Sequence, residues 1–230
     1  MSHDTPRTET AEHSIPGGVK YYKKDFWAEE NLKYAAPHFR MRKVARVVRG
    51  HARGQQRSLL DVGCGPGALG SLMPPNVQYY GIDISIPAPA PNFIEVDILE
   101  HPIGFQGMKF DFVVAQGLFE YIGEHESQKL AEIKEVLKKN GKFIVTYMNF
   151  DHRHQQIYWP YSNVQPAADF RRDLGRYFKI ERRFAGAHNW NQSQPRRRLM
   201  TLTQDRLNVY VPLVSPQLAV DFFYICSPLR

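Results

Sequence analysis

The chain is poor in several things, and each shortage closes off a class of protein. Its 230 residues include only two cysteines, Cys64 and Cys226, far apart in sequence. A disulfide framework is excluded, and a reducing cytoplasm is the expected compartment. No apolar run is long enough to span a bilayer, so no membrane role is expected. The polar stretch Met1 to Ile15 lacks the apolar core of a secretory signal. There is no internal repeat, no Gly-Lys-Ser/Thr that would complete a P-loop, and no metal is expected. Acidic residues are in the minority: 30 Lys and Arg against 23 Asp and Glu leave a net charge of +7. The basic residues scatter through Lys20–Lys24, Arg40–Arg57, Arg171–Arg183 and Arg196–Arg198 without forming one block. Such charge allows an anionic partner such as nucleic acid, but an ordinary basic enzyme surface explains it equally well.

What is present is a change of period near residue 57. Residues 1–16 are polar and aperiodic and read as a disordered tail. Residues 17–56 read as a helical cap, with Tyr21 to His51 rich in aromatic and basic residues and divided at Pro37. From Ser58, short apolar runs alternate with helical segments. Strands are expected at Ser58–Val62, Val77–Ile82, Asn92–Val96, Phe110–Ala115, Lys142–Met148, Phe178–Phe184 and Ala219–Cys226. Helices are expected at Gln128–Lys139, stopped by Asn140-Gly141, and at Ala167–Tyr177. This order predicts an α/β fold over residues 57–230. The sheet should be doubly wound, mostly parallel and seven-stranded, with helices on both faces, a helical N-terminal extension and an insertion at 185–218 before the last strand.

The stretch Leu59-Leu60-Asp61-Val62-Gly63-Cys64-Gly65-Pro66-Gly67 is the most informative. An apolar strand ends in an acidic residue and breaks into a side-chain-free turn. The turn should let backbone N–H groups approach a nucleotide-like ligand, with a helix N-terminus nearby. The glycines are spaced GxGxG, with none at position 68, which suits a dinucleotide poorly.

Tyr80-Gly81-Ile82-Asp83-Ile84-Ser85 closes the second strand on an acid, and Glu95-Val96-Asp97-Ile98 follows the third. Phe110-Asp111-Phe112-Val113-Val114-Ala115-Gln116-Gly117 and Leu137-Lys138-Lys139-Asn140-Gly141-Lys142-Phe143-Ile144-Val145 complete the series. In this order and spacing the chain resembles the class I S-adenosylmethionine-dependent methyltransferases. The resemblance is close from Ser58 to Asn149 and looser beyond.

The resemblance implies S-adenosylmethionine as cofactor and S-adenosylhomocysteine as product. Gly63, Cys64, Gly65 and Gly67 would pass close to its amino-acid end and ribose, with Cys64 a small filler. Asp61 would orient the turn or meet the ammonium group. Asp83, with Ile84 beside it, would accept from the ribose diol. Asp97 and Ile98 would meet the adenine, and Gln116 and Gly117 would line the pocket where the methyl group leaves.

The chain departs from its relatives in two places. Ile86-Pro87-Ala88-Pro89-Ala90-Pro91 forbids the helix that usually follows the second strand. One sheet face should be thinly covered there, open to a second copy or a partner subunit over residues 86–91. After the fourth strand, Tyr121 replaces a histidine common in relatives.

Methyl transfer from a sulfonium needs alignment of the acceptor and, where required, removal of its proton. Asp151, His152 and His154 follow the fifth strand, so His152 and His154, with Tyr121, are the candidate catalytic residues. His152 and His154 read equally well as surface residues of a polar loop. Tyr147, Tyr158, Trp159 and Tyr161 could wall an organic substrate. Tyr21, Tyr22 and Trp27 could form a lid or pack in the core, and Arg196-Arg197-Arg198 could bind an anionic group or lie in solvent. The tetrapeptide that marks methylation of amino groups on bases or glutamine is absent, as is a cysteine pair for pyrimidine carbon. The expected function is methylation of a hydroxyl, or an amine, of a small molecule such as a natural product or sugar. The alternatives are an RNA methyltransferase and a non-catalytic cofactor-binding subunit.

Overall fold

The protein was analysed as a computed structural model, which describes residues 36–150, 165–186 and 219–230. The seven strands are β1 (Arg57–Val62), β2 (Val77–Asp83), β3 (Phe93–Glu95), β4 (Phe110–Ala115), β5 (Leu137–Met148), β6 (Phe178–Ala185) and β7 (Asp221–Pro228). The helices are α1 (Phe39–Ala52), α2 (Glu126–Val136) and α3 (Ala167–Tyr177). The strands form one sheet in the order β3-β2-β1-β4-β5-β7-β6. Only β7 is reversed: it runs antiparallel to β5 and β6. The order turns back between β1 and β4, and the carboxyl ends on either side of that point are where such sheets hold ligands.

Residue alternation along the strands separates two cores. Leu60, Val62, Val113, Phe143, Val145 and Tyr224 face a cluster completed by Leu130 and Ile133 of α2 and Phe170 and Leu174 of α3. Leu59, Phe112, Val114, Ile144, Phe223 and Ile225 face the other cluster, against Val44, Val47 and Val48 of α1. The expected doubly wound α/β sheet, covered on both faces, is therefore observed.

Helix α1 starts at Phe39, two residues after Pro37, and its N-cap His38 accepts from the Arg40 N–H through Nδ1 at 3.2 Å. Three sequence expectations need correction. Helix α2 ends at Val136, not Lys139, and the chain passes directly into β5. Asn140-Gly141 instead lies inside β5 at a register shift, where Phe110 pairs with Leu137 but Phe112 with Lys142. A side chain at 141 would meet Leu137 at 2.8 Å and the Lys138 carbonyl at 2.9 Å, so this tight fold-back requires glycine. The helix expected close after the glycine turn is only a 3-10 turn, Gly70–Leu72. Residues 86–91 form no helix, as their prolines dictate, and Pro87, Ala88, Pro89 and Pro91 are exposed beside the edge strand β3. The N-terminal aromatics Tyr21, Tyr22 and Trp27, the segment 151–164 and, of the expected insertion 185–218, residues 187–218 lie outside the described residues.

At the amino end of the sheet, Asp111 ties three strands together. It accepts from Arg57 Nη1 at 2.8 Å, from the Ser58 N–H at 2.9 Å and from Lys138 Nζ at 2.7 Å. Burial opposes its ionisation, but Lys138, the Ser58 N–H and Arg57 outweigh it and hold the carboxyl at about 2. A carboxyl depressed in the folded state stabilises above its unfolded pKa, near 4, and loses that contribution as pH falls toward 2. Asp111→Asn should therefore cost about 1–2 kcal/mol at pH 7. Urea midpoints should show the gap between mutant and wild type closing as pH drops from 5 to 2.

Candidate cofactor and acceptor site

The glycine turn sits where β1 ends. Gly63, Gly65 and Gly67 all have left-handed backbones, with φ of 75°, 52° and 77°. The expectation that their N–H groups reach out to a ligand is not met. The Gly63 and Cys64 N–H groups donate to the Ile82 carbonyl at 2.9 and 3.2 Å, and Gly67 donates to the Cys64 carbonyl at 3.0 Å. The Gly65 N–H donates to Asp83 Oδ2 at 2.7 Å. These four donors are spent inside the protein, and the element that follows is a single 3-10 turn with little dipole. The turn thus uses these donors to hold its own shape, and they are not presented to a pyrophosphate.

The turn is compact because small residues meet. A Cβ at Gly81 would lie 2.6 Å from Cys64 Sγ and 2.8 Å from the Phe93 ring, and one at Gly67 would lie 2.6 Å from that ring. Cys64 is a filler, as expected. Burial, then the Asp61 and Asp83 carboxylates, push its thiol far up, so it is no nucleophile.

The acids divide into distinct jobs. Asp83 is buried at the end of β2, and besides Gly65 it accepts from the Ser85 N–H through Oδ1 at 3.2 Å. Asp61 is buried beneath the turn and accepts from the Tyr79 hydroxyl at 2.7 Å. Burial, partly offset by Tyr79, raises its carboxyl to about 7. Such a group is set to gain from a nearby cation. Asp97 spends Oδ1 on the Leu99 N–H at 2.9 Å and so caps its own turn. Ile98 is buried in the main core, and Ile84 is half-buried beside Asp83.

Across the reversal point, Gly117 has φ 62° and donates to Thr146 Oγ1 at 2.8 Å, while Gln116 Oε1 is buried with no hydrogen-bond donor among the described residues. Tyr121 lies half-buried on the 3-10 turn Phe119–Tyr121. His152 and His154, with Tyr158, Trp159 and Tyr161, lie outside the described residues, as does Arg196-Arg197-Arg198.

Sequence reasoning missed a second set of groups at this end. Glu120 is 3% exposed and accepts from the Met148 N–H through Oε1 at 2.7 Å, while Oε2 has no hydrogen-bond donor among the described residues. Burial, set against its own backbone N–H and Arg40, raises its carboxyl to about 7. Asp221, the buried first residue of β7, pairs with Arg40 of α1 at 2.8 Å. That guanidinium lies 3.8 Å from where a Gly117 Cβ would be. The available signal was an acid opening the apolar run Asp221-Phe222-Phe223-Tyr224. Among the described residues no group of three or more His, Cys, Asp or Glu side chains could hold a metal.

Residues 28–190 match the methyltransferase-domain family. The chain belongs to this family and is a class I S-adenosylmethionine-dependent methyltransferase, with S-adenosylmethionine as its cofactor. Solved structures share the fold at low identity. The N-methyltransferase NodS from Bradyrhizobium japonicum WM9, bound to S-adenosylhomocysteine, is 13% identical over 89% of this chain and 95% of its own, with a TM-score of 0.57. The plantazolicin methyltransferase BpumL, bound to a triazolic desmethyl analogue and S-adenosylhomocysteine, is 15% identical over 90% and 95%, also at 0.57. A Haloferax volcanii chain held in a complex with the Trm112 methyltransferase activator is 16% identical over 90% and 97%, again at 0.57. No curated protein matches the chain significantly. No helix among the described residues is long and apolar enough to cross a membrane.

Proposed function

We propose that the enzyme methylates a hydroxyl or amine of a small molecule, with the cofactor seated between the glycine turn and Asp83. The observation that carries the seat is the Asp83 carboxylate. It ends β2 beside the glycine turn, which it pins through Gly65, and a carboxylate there is placed to accept from a ribose diol. Asp61 would meet the cofactor's ammonium, which would hold its carboxylate ionised. Gln116 and Gly117 would border the methyl group, and Asp97 and Ile98 the adenine side. A partner copy or subunit over the exposed prolines of 86–91 belongs to the same proposal, supported by the complex that the Haloferax relative forms.

The small-molecule reading draws support from the plantazolicin methyltransferase among the neighbours. His152, His154 and Tyr121 are proposed to handle the acceptor. The test is transfer of radiolabelled methyl from S-adenosylmethionine to a panel of phenols, sugars and amines, with tRNA and rRNA alongside. Label entering a small molecule supports the reading; label entering only RNA refutes it. The RNA alternative has one observation in its favour: Arg42, Arg46 and Arg49 are exposed at helical spacing along α1, with exposed Arg53 at its C-cap.

A further inference from the structure

Two acceptors on the segment leaving β4 have no hydrogen-bond donor among the described residues: Gln116 Oε1 and Glu120 Oε2. Both atoms are buried. Leaving a carboxylate oxygen dry and unpaired is costly, by several kcal/mol when the group is charged. Glu120 is held in place by the Met148 N–H, at the last residue of β5. It therefore stands at the carboxyl ends of β4 and β5, on the far side of the reversal point from Asp61 and the glycine turn.

The local charge does not balance. Arg40 is the nearby cation acting on Glu120, and it is already paired with Asp221 at 2.8 Å. Glu126, from the start of α2, adds a further acid whose field reaches Glu120. Among the described residues, three acids, Glu120, Asp221 and Glu126, thus share the field of one arginine.

We infer that the methyl acceptor is an amine, bound as its ammonium by Glu120 and Gln116. This deepens the proposed small-molecule reading and rests on it. A hydroxyl acceptor offers one donor and no charge. A primary ammonium offers three N–H donors and a positive charge, which suit a carboxylate oxygen and an amide oxygen as acceptors.

The same arrangement supplies the chemistry. The ammonium gives one proton to the Glu120 carboxylate, which frees the nitrogen lone pair. The lone pair attacks the cofactor's methyl carbon as the carbon–sulfur bond breaks, and that bond's electrons stay on sulfur. The products are the N-methylammonium and S-adenosylhomocysteine, and protonated Glu120 returns its proton to solvent. A carboxyl whose proton exchanges near neutral pH suits this exchange.

The test titrates benzylamine, and separately benzyl alcohol, into full-length protein saturated with S-adenosylhomocysteine, at pH 8 in a calorimeter. Benzylamine should bind with the product in place, at least tenfold tighter than benzyl alcohol. Glu120→Gln keeps an acceptor for the Met148 N–H and should reduce benzylamine affinity tenfold or more, and benzyl alcohol affinity by less than threefold. If that variant does not fold, the wild-type preference for amine over alcohol decides. Equal binding of the two probes, no benzylamine binding, or displacement of benzylamine by S-adenosylhomocysteine would each overturn the inference. A protein that fails to bind S-adenosylhomocysteine at all fails at the earlier step instead, so the two failures are separable.

Discussion

Asp83→Ala should lower the affinity for S-adenosylhomocysteine by about a hundredfold or more. Hydrogen bonds to a charged group are worth about 1.5–3 kcal/mol each, and two to a ribose diol would amount to about 3–6 kcal/mol. The mutation also releases the Gly65 and Ser85 N–H groups from the carboxylate. The turn then loses the anchor that joins it to β2, and the seat becomes less preorganised. Asp83→Asn keeps acceptor capacity at one oxygen and should fall between the two. The folding midpoint should move little in comparison, because the turn retains its bonds from Gly63 and Cys64 to Ile82. Equilibrium dialysis with labelled cofactor reads the effect. Unaltered affinity in Asp83→Ala would remove Asp83 from the cofactor site.

Phe170→Ala should have the opposite profile, with a large loss of stability and little change in cofactor affinity per folded molecule. Phe170 is fully buried on α3 and lies parallel to the Tyr147 ring, with centroids 4.0 Å apart and an 8° tilt. It also meets Phe119 at 5.6 Å and Tyr224 at 5.8 Å. These contacts join α3, the turn after β4, and strands β5 and β7 into one aromatic block. Truncating a buried phenylalanine costs about 3–5 kcal/mol. For a chain of this size that corresponds to a fall of roughly 6–20 °C in the melting temperature. The block lies on the β5–β7 side of the sheet, while the glycine turn is built on β1 and β2. A thermal melt and a binding titration on the same sample separate the two effects. A melting temperature within 2 °C of wild type would contradict this account of the core.

Much of the fold was legible because its strands carry their own punctuation. Apolar runs end in Asp61-Val62-Gly63 and in Ile82-Asp83, and the acid at each end reports the strand terminus as well as its chemistry. The antiparallel β7 was readable only as a strand, since its direction depends on which neighbours it meets. The end of α2 was misread because Asn140-Gly141 serves a fold-back inside β5. A local signal for a turn does not say which element owns it. Likewise Asp97 and Ile98 were placed by resemblance, but the residue type alone did not show Asp97 bonding its own turn or Ile98 entering the core.

The site itself was legible on the cofactor side and not on the acceptor side. Asp61, Gly63 to Gly67 and Asp83 lie in two short stretches joined by one parallel strand pair. Arg40, Glu120 and Asp221 come from α1, the turn after β4 and the start of β7. Only the sheet order brings them together. Even within the glycine turn, the sequence could not show that the Gly63, Cys64, Gly65 and Gly67 N–H groups are spent on internal carbonyls and Asp83. That internal use shows that the glycines shape the turn and tie it to β2.

The most direct measurement is therefore a calorimetric comparison of S-adenosylhomocysteine with NAD on the wild-type protein. The account predicts saturable one-to-one binding of S-adenosylhomocysteine that excess NAD does not displace. Binding of NAD at the same site, or no heat from S-adenosylhomocysteine at any accessible concentration, would contradict it.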